Sequence, residues 1–415
     1  MVKSLISLWL FGLSVPLCAH GEDTRQHAFD PDVRTVAFRN PDSFMSPALI
    51  RLGTPDRLNL NFDILGESHD YLRARLVHCN ADWTRSRLLD SEFASGFNET
   101  EITDYAYSTN TFTHYVNYNL ELPSPDLEPL TSGNYLLQVF REDDPDDVIL
   151  QVRFAVSENS LPVSASVTTA TDRGFNTQWQ QVEIAADLNG QPDVNPFNDL
   201  KVSVVQNNTE NSERFADVPL RVVGTEAVYE HNPKLVFPAG NEYRRFETVR
   251  ADMPGMHADS VAFIDRRWHS FLSPDEPRNE KPYYYDRTQH GRFMVDETNA
   301  TDPDIGADYV TVHFTLETEE MPGVDIHVDG DFAHSIPKET SLMNYDSSRG
   351  AYIAEIPLKQ GSYNYRYVAV DSNGTPDPSP IEGNTFETRN EYLVKMFVRK
   401  PGSRADRLVG AALVE

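Results

Sequence analysis

Residues 75–88 read RLVHCNADWTRSRL and contain Cys79, the one cysteine expected to remain in the mature chain. Its neighbours His78 and Trp83 raise the question whether Cys79 is a nucleophile, a metal ligand or a small apolar residue. In a strand, successive side chains point to opposite faces of the sheet, so His78 and Cys79 are expected to diverge. A reactive thiolate needs an adjacent base, whereas a buried cysteine usually packs as a small apolar side chain. We therefore predict a packing role for Cys79.

The segments on either side of this stretch are rich in strand-forming residues and lack long helical periodicity. In the first third of the chain, six or seven short strands are separated by turn residues, as in PSPDLEPLTSGN (123–134). That pattern is typical of an immunoglobulin-like sandwich. Two further β-rich regions follow, so we predict an all-β chain of tandem immunoglobulin-like β-sandwich domains, with these bounds: 28–158, 160–298 and 305–415.

The first 21 residues, MVKSLISLWLFGLSVPLCAHG, have the form of an export signal. Lys3 supplies a positive start, an apolar run follows, and Ala19 and Gly21 are small residues at a cleavage site. The run is too short for a comfortable membrane span. We predict a signal peptide over residues 1–21, whose removal takes Cys18 away and leaves no internal disulfide.

The chain is strongly acidic, with 36 basic and 64 acidic side chains among 415 residues and a formal charge of −28. Such a charge repels nucleic-acid phosphates and anionic lipid surfaces, so we expect no nucleic-acid partner and no direct membrane insertion. A basic partner surface would suit it.

No pattern in the sequence predicts catalysis or a metal site. The twelve histidines are scattered, and no HExxH, CxxC, GxSxG or phosphate-binding glycine loop is present. The segment DPDIGAD (302–308) resembles the start of a calcium loop, but Ala307 stands where glycine is required and His313 where glutamate is needed. We expect no catalytic, cofactor-binding or metal-binding residues and no cofactor, and we assign no partner-binding residues.

Residues 324–332 (VDIHVDGDF) and 350–378 resemble the glycogen-binding, early-set type of immunoglobulin-like module. In that family, exposed tryptophans stack on the apolar faces of sugars. The four tryptophans of this chain lie outside residues 305–415: Trp9, Trp83, Trp179 and Trp268. The resemblance thus implies the fold of the last domain, and we expect no sugar to bind there.

A second resemblance covers nearly the whole mature chain. HCNADW (78–83) followed by EFASGFNETEITDYAYSTNT (92–111) resembles the signature of the type 9 secretion system plug proteins. Further blocks match in order from about residue 33 to 410, and the list of them includes SGNYLLQVFREDDPDD (132–147), FPAGNEYRRFE (237–247), KPYYYDRTQHGRF (281–293), DPDIGADYVTVHFTL (302–316), GSYNYRYV (361–368) and ETRNEYLVKMFVRKPGSRADRLVG (387–410).

This resemblance implies a non-enzymatic periplasmic protein that closes the periplasmic mouth of a large outer-membrane β-barrel translocon. It also implies that Cys79, Asn80, Asp82 and Trp83 are structural determinants of the first sandwich. Two rival functions are a periplasmic carbohydrate-binding protein and a cargo of the same secretion system. Missing platform tryptophans disfavour the first, and the ending RKPGSRADRLVGAALVE (399–415), which is like that of the plug family, disfavours the second.

Overall fold

The computed structural model describes residues 23–191 and 193–415. The predicted signal peptide at 1–21 lies outside the described residues, and so does Cys18. The described chain consists of short strands joined by turns, with four helices of four residues each, α1 (Asp90–Phe93), α2 (Pro303–Gly306), α3 (Lys338–Ser341) and α4 (Ser379–Glu382). Three short 3-10 turns cover Glu210–Ser212, Pro233–Leu235 and Asp331–Ser335.

The first sandwich is built from strands β1 (His27–Ala28), β2 (Val33–Arg39), β3 (Leu49–Arg51), β4 (Leu58–Leu65), β5 (Leu72–Cys79), β6 (Thr100–Glu101), β7 (Asp104–Tyr107), β8 (Tyr115–Leu122), β9 (Gly133–Arg141) and β10 (Asp144–Ser157). One sheet has the order β1-β10-β9-β5-β6 with β3 beside β10, and the other has the order β2-β4-β8-β7. Alternating apolar residues of both sheets meet in one core, which includes Leu60, Phe62, Leu76, Leu137 and Val152.

The chain then supplies β11 (Val163–Thr168), β12 (Ala170–Thr171), β13 (Gly174–Phe175), β14 (Trp179–Asp187), β15 (Leu200–Gln206), β16 (Arg214–Ala216), β17 (Arg221–Val223), β18 (Glu226–Tyr229) and β19 (Val236–Pro238). The next set is β20 (Arg244–Glu247), β21 (Ala258–Ile264), β22 (Arg267–Leu272), β23 (Phe293–Val295), β24 (Tyr309–Glu317), β25 (Asp325–Asp329), β26 (Asn344–Asp346), β27 (Ala351–Lys359), β28 (Gly361–Val370) and β29 (Pro376–Asp377). The last two strands are β30 (Tyr392–Val398) and β31 (Arg407–Val414).

Strand pairing after β10 does not follow the contiguous division expected at 160–298 and 305–415. Strand β15 pairs with β30, so the sheet β16-β15-β30-β31 faces the sheet β11-β14-β18-β17 and forms the second sandwich with it. Its core joins Val202 and Val204 to Val394 and Met396. Strands β20 to β29, which lie between β15 and β30 in the sequence, form the third sandwich. We propose that the third domain is inserted into the second.

The prediction of an all-β chain with tandem β-sandwiches is confirmed by these sheets. Almost all pairings are antiparallel, and the two parallel pairs are β3 with β10 and β22 with β24. No helix among the described residues is long and apolar enough to cross a membrane.

Candidate functional site

The Asn80–Trp83 turn follows directly on β5 and closes on itself. The amide of Trp83 donates to the carbonyl of Asn80 at 3.0 Å, and Trp83 has a positive φ of 64°. The Asp82 carboxylate accepts from the amide of Thr84 at 3.1 Å and from its hydroxyl at 2.6 Å. Asn80 and Asp82 therefore hold the turn in one shape and fix where the indole of Trp83 points.

The side chains of His78 and Cys79 lie on opposite faces of β5. The imidazole Nε2 of His78 is 3.0 Å from the carbonyl oxygen of Ser132, and burial lowers the pKa of His78. A Cβ at Gly133 would come within 2.3 Å of this ring, so the ring needs glycine there. Cys79 is fully buried in a small apolar cluster with Val77, Trp83 and Leu136. The imidazole of His78 therefore cannot serve as a base for the Cys79 thiol, because the two side chains lie on opposite faces of the strand.

The same turn is bound to the second sandwich. The Asp406 carboxylate accepts from the amide of Ala81 at 3.0 Å, and the amide of Asp406 donates to the side chain of Asn80 at 3.2 Å. Asp406 is fully buried and is paired with Lys201 at 3.1 Å and Arg399 at 3.4 Å. The turn therefore acts as a structural determinant of the contact between two sandwiches, and not of the first sandwich alone.

Trp83 is the centre of that contact. Its indole Nε1 donates to Glu213 at 2.7 Å, and its ring has Arg153 at 4.1 Å and Lys395 at 4.9 Å from the centroid. Lys395 also pairs with Glu213 at 3.1 Å. Burial would raise the pKa of Glu213, but the charge of Lys395 and the hydrogen bonds to this carboxylate outweigh it and lower the pKa. We call the Asn80–Trp83 turn with Glu213, Lys395 and Asp406 the Trp83 joint.

A cavity of about 110 Å³ lies beside the Trp83 joint, where all three sandwiches meet. From the first sandwich, Arg39 reaches the third by donating to the carbonyl of Phe293 at 3.0 Å. From the third, Asp331 faces the cavity, and burial raises the pKa of its carboxyl group. The lining is mixed, because it also contains Phe38, Arg153, Arg292 and His334.

The first and third sandwiches are joined by a fully buried ion pair. The ammonium of Lys359 lies 2.7 Å from the Asp63 carboxylate, and both side chains have no solvent exposure. The hydroxyl of Tyr309 donates to the same carboxylate at 2.7 Å and lies 2.6 Å from the hydroxyl of Thr35. Burial raises the pKa of Tyr309 well above its ordinary value, so the phenol stays a donor. We call Asp63, Tyr309 and Lys359 the Asp63 joint.

The segment that resembles a calcium loop is part of this contact. The Asp308 carboxylate accepts from the amides of Phe112 at 2.7 Å and Thr113 at 3.0 Å, both in the first sandwich. The hydroxyl of Tyr115 donates to the carbonyl of Ala307 at 2.7 Å. The Asp308 carboxylate therefore accepts hydrogen bonds from backbone amides. Among the described residues, no group of three or more His, Cys, Asp or Glu side chains could hold a metal ion.

Two aromatic residues, Phe332 and Trp268, bear on the expectation that no sugar binds to the region resembling the glycogen-binding module. Phe332, at the end of the Gly-Asp-Phe sequence, is buried, and so offers no exposed ring. Trp268 lies outside residues 305–415, as expected, but its strand belongs to the same sheet as strands of that region. Strand β22, which carries Trp268, pairs in parallel with β24 in the sheet β21-β22-β24-β27-β26. This pairing was not evident from the sequence, because it joins segments about 40 residues apart, with Trp268 opposite Val310.

Comparison with known proteins gives one family match and one similar solved structure. The family model described as "Type 9 secretion system plug protein 1st domain" matches residues 33–158, which include the Asn80–Trp83 turn. The crystal structure of a hypothetical protein from Parabacteroides merdae superposes with a TM-score of 0.90 and 36% sequence identity. That match covers 94% of this chain and 98% of the other.

No curated protein gives a significant match to the chain. A structure of dimeric latent PorU from Porphyromonas gingivalis is 12% identical with a TM-score of 0.13, and it covers 92% of this chain and 34% of that one. The DNA glycosylase AlkC from Pseudomonas fluorescens, bound to DNA with an abasic site analog, is 10% identical with a TM-score of 0.18 over 30% of each chain. Neither likeness is close enough to support a conclusion.

Proposed function

Because the chain belongs to the type 9 secretion system plug protein family, we propose that it docks on the outer-membrane translocon of that system and seals its periplasmic opening. The family suggests a non-enzymatic structural role, in association with the secretion system and in the periplasm. The observation that carries the proposal is the family match over residues 33–158. The partner is a large β-barrel, and the protein reaches it after cleavage of the signal peptide at 1–21.

The two joints support a mechanical role. A protein that stops a pore must resist deformation, and closely packed sandwiches deform little. The Trp83 joint fastens the first sandwich to the second through the hydrogen bonds of Trp83 to Glu213 and of Ala81 to Asp406. The Asp63 joint fastens it to the third through a buried ion pair. Loose linkers between domains would allow relative motion by default. The three sandwiches can therefore act as one stopper.

The charge supports a reversible attachment. A net charge of −28 favours guided association with a basic rim, and salt weakens such attraction. A polar interface of moderate size also allows release when cargo must pass. We expect capture of the barrel to fall as ionic strength rises.

Deletion of the gene tests this proposal. A translocon that passes folded cargo would admit large antibiotics and dyes once its stopper is gone, so we expect increased vancomycin sensitivity and dye entry. Restoring the wild-type protein should reverse both effects, and affinity purification from solubilised outer membranes should recover the barrel. If permeability is unchanged and the barrel never co-purifies, the plug function fails and the carbohydrate-binding alternative replaces it.

A further inference from the structure

A cleft of about 510 Å³ lies between the first and third sandwiches, away from the Trp83 joint. One side is the segment Thr109–Phe112, which follows β7. The other side comes from the third sandwich and includes Trp268, Glu297 and Asp302. This volume is in the range of clefts that bind small ligands, roughly 300–1,000 Å³.

Exposed aromatic rings form a wall beside this cleft. The ring centroids of Phe112 and Phe263 are 4.8 Å apart, and those of Phe263 and Trp268 are 5.0 Å apart. Phe112 is 51% exposed and Phe263 is 46% exposed. The three rings therefore form a continuous aromatic strip that crosses from one sandwich to the other, with Phe112 and Phe263 exposed and Trp268 half-buried.

The remaining lining is acidic. Four carboxylates face or border the cleft, from Asp252, Glu297, Asp302 and Asp308. Of the described lining residues, none is Lys, Arg or His. Asp252 pairs with Arg250 at 2.8 Å, and Asp308 accepts hydrogen bonds from the backbone amides of Phe112 and Thr113. The cleft is therefore negative beside an aromatic wall.

The walls of the cleft are held in position by contacts between the sandwiches. The amide of Thr109 donates to the carbonyl of Ile305 at 2.9 Å, and Asp308 clasps Phe112. Asp302 caps the first turn of α2 through the amide of Asp304 at 3.0 Å. A ligand would not have to order these walls on binding, which lowers the entropic cost of association.

We propose that this cleft receives an arginine or lysine side chain from the periplasmic rim of the translocon. A cation is attracted to the face of an aromatic ring, most strongly to tryptophan, and the carboxylates add charge complementarity. The inference rests on the proposed function for the identity of the partner. The proposed ligand is a basic protein segment, and binding of a neutral sugar is the alternative that the experiment tests.

The first experiment uses the purified mature chain and does not involve the translocon. A fluorescein-labelled hexa-arginine peptide is titrated with the protein and followed by anisotropy, with maltohexaose as the neutral sugar probe. The variant Phe112→Ala changes no charge and should weaken peptide binding by roughly fivefold. The pair Asp252→Asn/Glu297→Gln should weaken it by roughly tenfold.

Matched controls separate the cleft from general charge attraction. Phe175→Ala removes an exposed phenylalanine from the second sandwich, and Glu319→Gln/Glu320→Gln removes two exposed charges from the third. Both should bind the peptide like wild type. Melting temperatures within about two degrees of wild type would show that the variants fold. Equal weakening by cleft and control variants would overturn the proposal, and so would maltohexaose binding that Phe112→Ala abolishes while peptide binding persists.

The second experiment measures barrel recovery from solubilised outer membranes with the same variants as bait. Reduced recovery with both cleft variants and normal recovery with both controls would support the inference. If every variant recovers the barrel like wild type, the cleft proposal fails while the plug function stands. If wild type recovers no barrel although the cleft variants lose the peptide, the plug function fails and the cleft remains a site for basic segments.

Discussion

The first sandwich is fastened to its two neighbours in different ways, by the Trp83 joint on one side and the Asp63 joint on the other. On the side of the first sandwich, the Trp83 joint comes from one turn of consecutive residues, and it borders a cavity. Its indole ring has two cations near it, Arg153 and Lys395. The Asp63 joint is assembled from single residues of β4, β24 and β27, which are far apart in the sequence, and its ion pair is fully buried. Its ion pair lacks solvent screening, so removing one partner should cost more there.

The largest expected effect is therefore at the Asp63 joint. The variant Asp63→Leu leaves the ammonium of Lys359 buried without its carboxylate, which should lower the free energy of unfolding by about 4 kcal/mol. Urea unfolding followed by tryptophan fluorescence measures this. The double variant Asp63→Leu/Lys359→Met should recover part of the loss, because it removes the unpaired charge but not the buried donor of Tyr309. A loss below 1 kcal/mol in the single variant would show that this joint adds little.

At the Trp83 joint, a smaller loss is expected. Trp83→Phe keeps an aromatic ring but removes the indole N–H and with it the hydrogen bond that Glu213 accepts. This should lower the free energy of unfolding by about 1–2 kcal/mol. Trp179→Phe is the matched control, because Trp179 is only partly buried and packs on Arg173 at 4.4 Å. Similar losses in the two variants would mean that the bond to Glu213 has no special weight.

The pH dependence of the Trp83 joint follows from Glu213. Its pKa in the folded protein lies below the ordinary value of 4.5, so the folded state prefers the ionised form. That contribution to stability is complete above pH 4.5 and is lost as the pH falls through the folded pKa. Urea midpoints should therefore separate wild type from Glu213→Gln at pH 7 and converge at lower pH. A constant difference from pH 7 to pH 3 would contradict this.

The smallest expected effect is on the rate at which Cys79 reacts with a thiol reagent. Cys79 has no solvent exposure, so a maleimide should label the native protein slowly and the urea-unfolded protein at once. Trp83→Phe should speed native labelling, because the indole packs in the same cluster as the thiol. Intact mass against time provides the rates. Rapid labelling of the native wild type would reopen a reactive role for Cys79.

What the sequence could predict depended on how local each feature is. YVTVHFTLE coincides with β24, Tyr309–Glu317, because its alternation lies within one strand. The Trp83 joint was partly predictable, since Asn80, Asp82 and Trp83 form one compact motif. Asp406 and Glu213, which complete it, carry no local signal of their own.

The Asp63 joint and the aromatic cleft were beyond such reasoning. A lysine such as Lys359 is usually solvated, and nothing in its neighbours indicates full burial. Nothing in the sequence around Trp268 indicates that its strand pairs with β24, because a long connection separates the two strands. Contacts of this kind depend on tertiary arrangement, which periodicity does not record.

The pairing of β15 with β30 also sets an order of events in time. The two strands are separated by nearly 200 residues, since Leu200 lies opposite Val398. During synthesis, β15 leaves the ribosome long before β30 is available. Residues 160–240 must therefore wait with an open sheet edge until the chain has emerged to beyond residue 398, while the first sandwich can already be complete. Such a delayed edge is a natural target for chaperones, because unpaired strands are prone to aggregate.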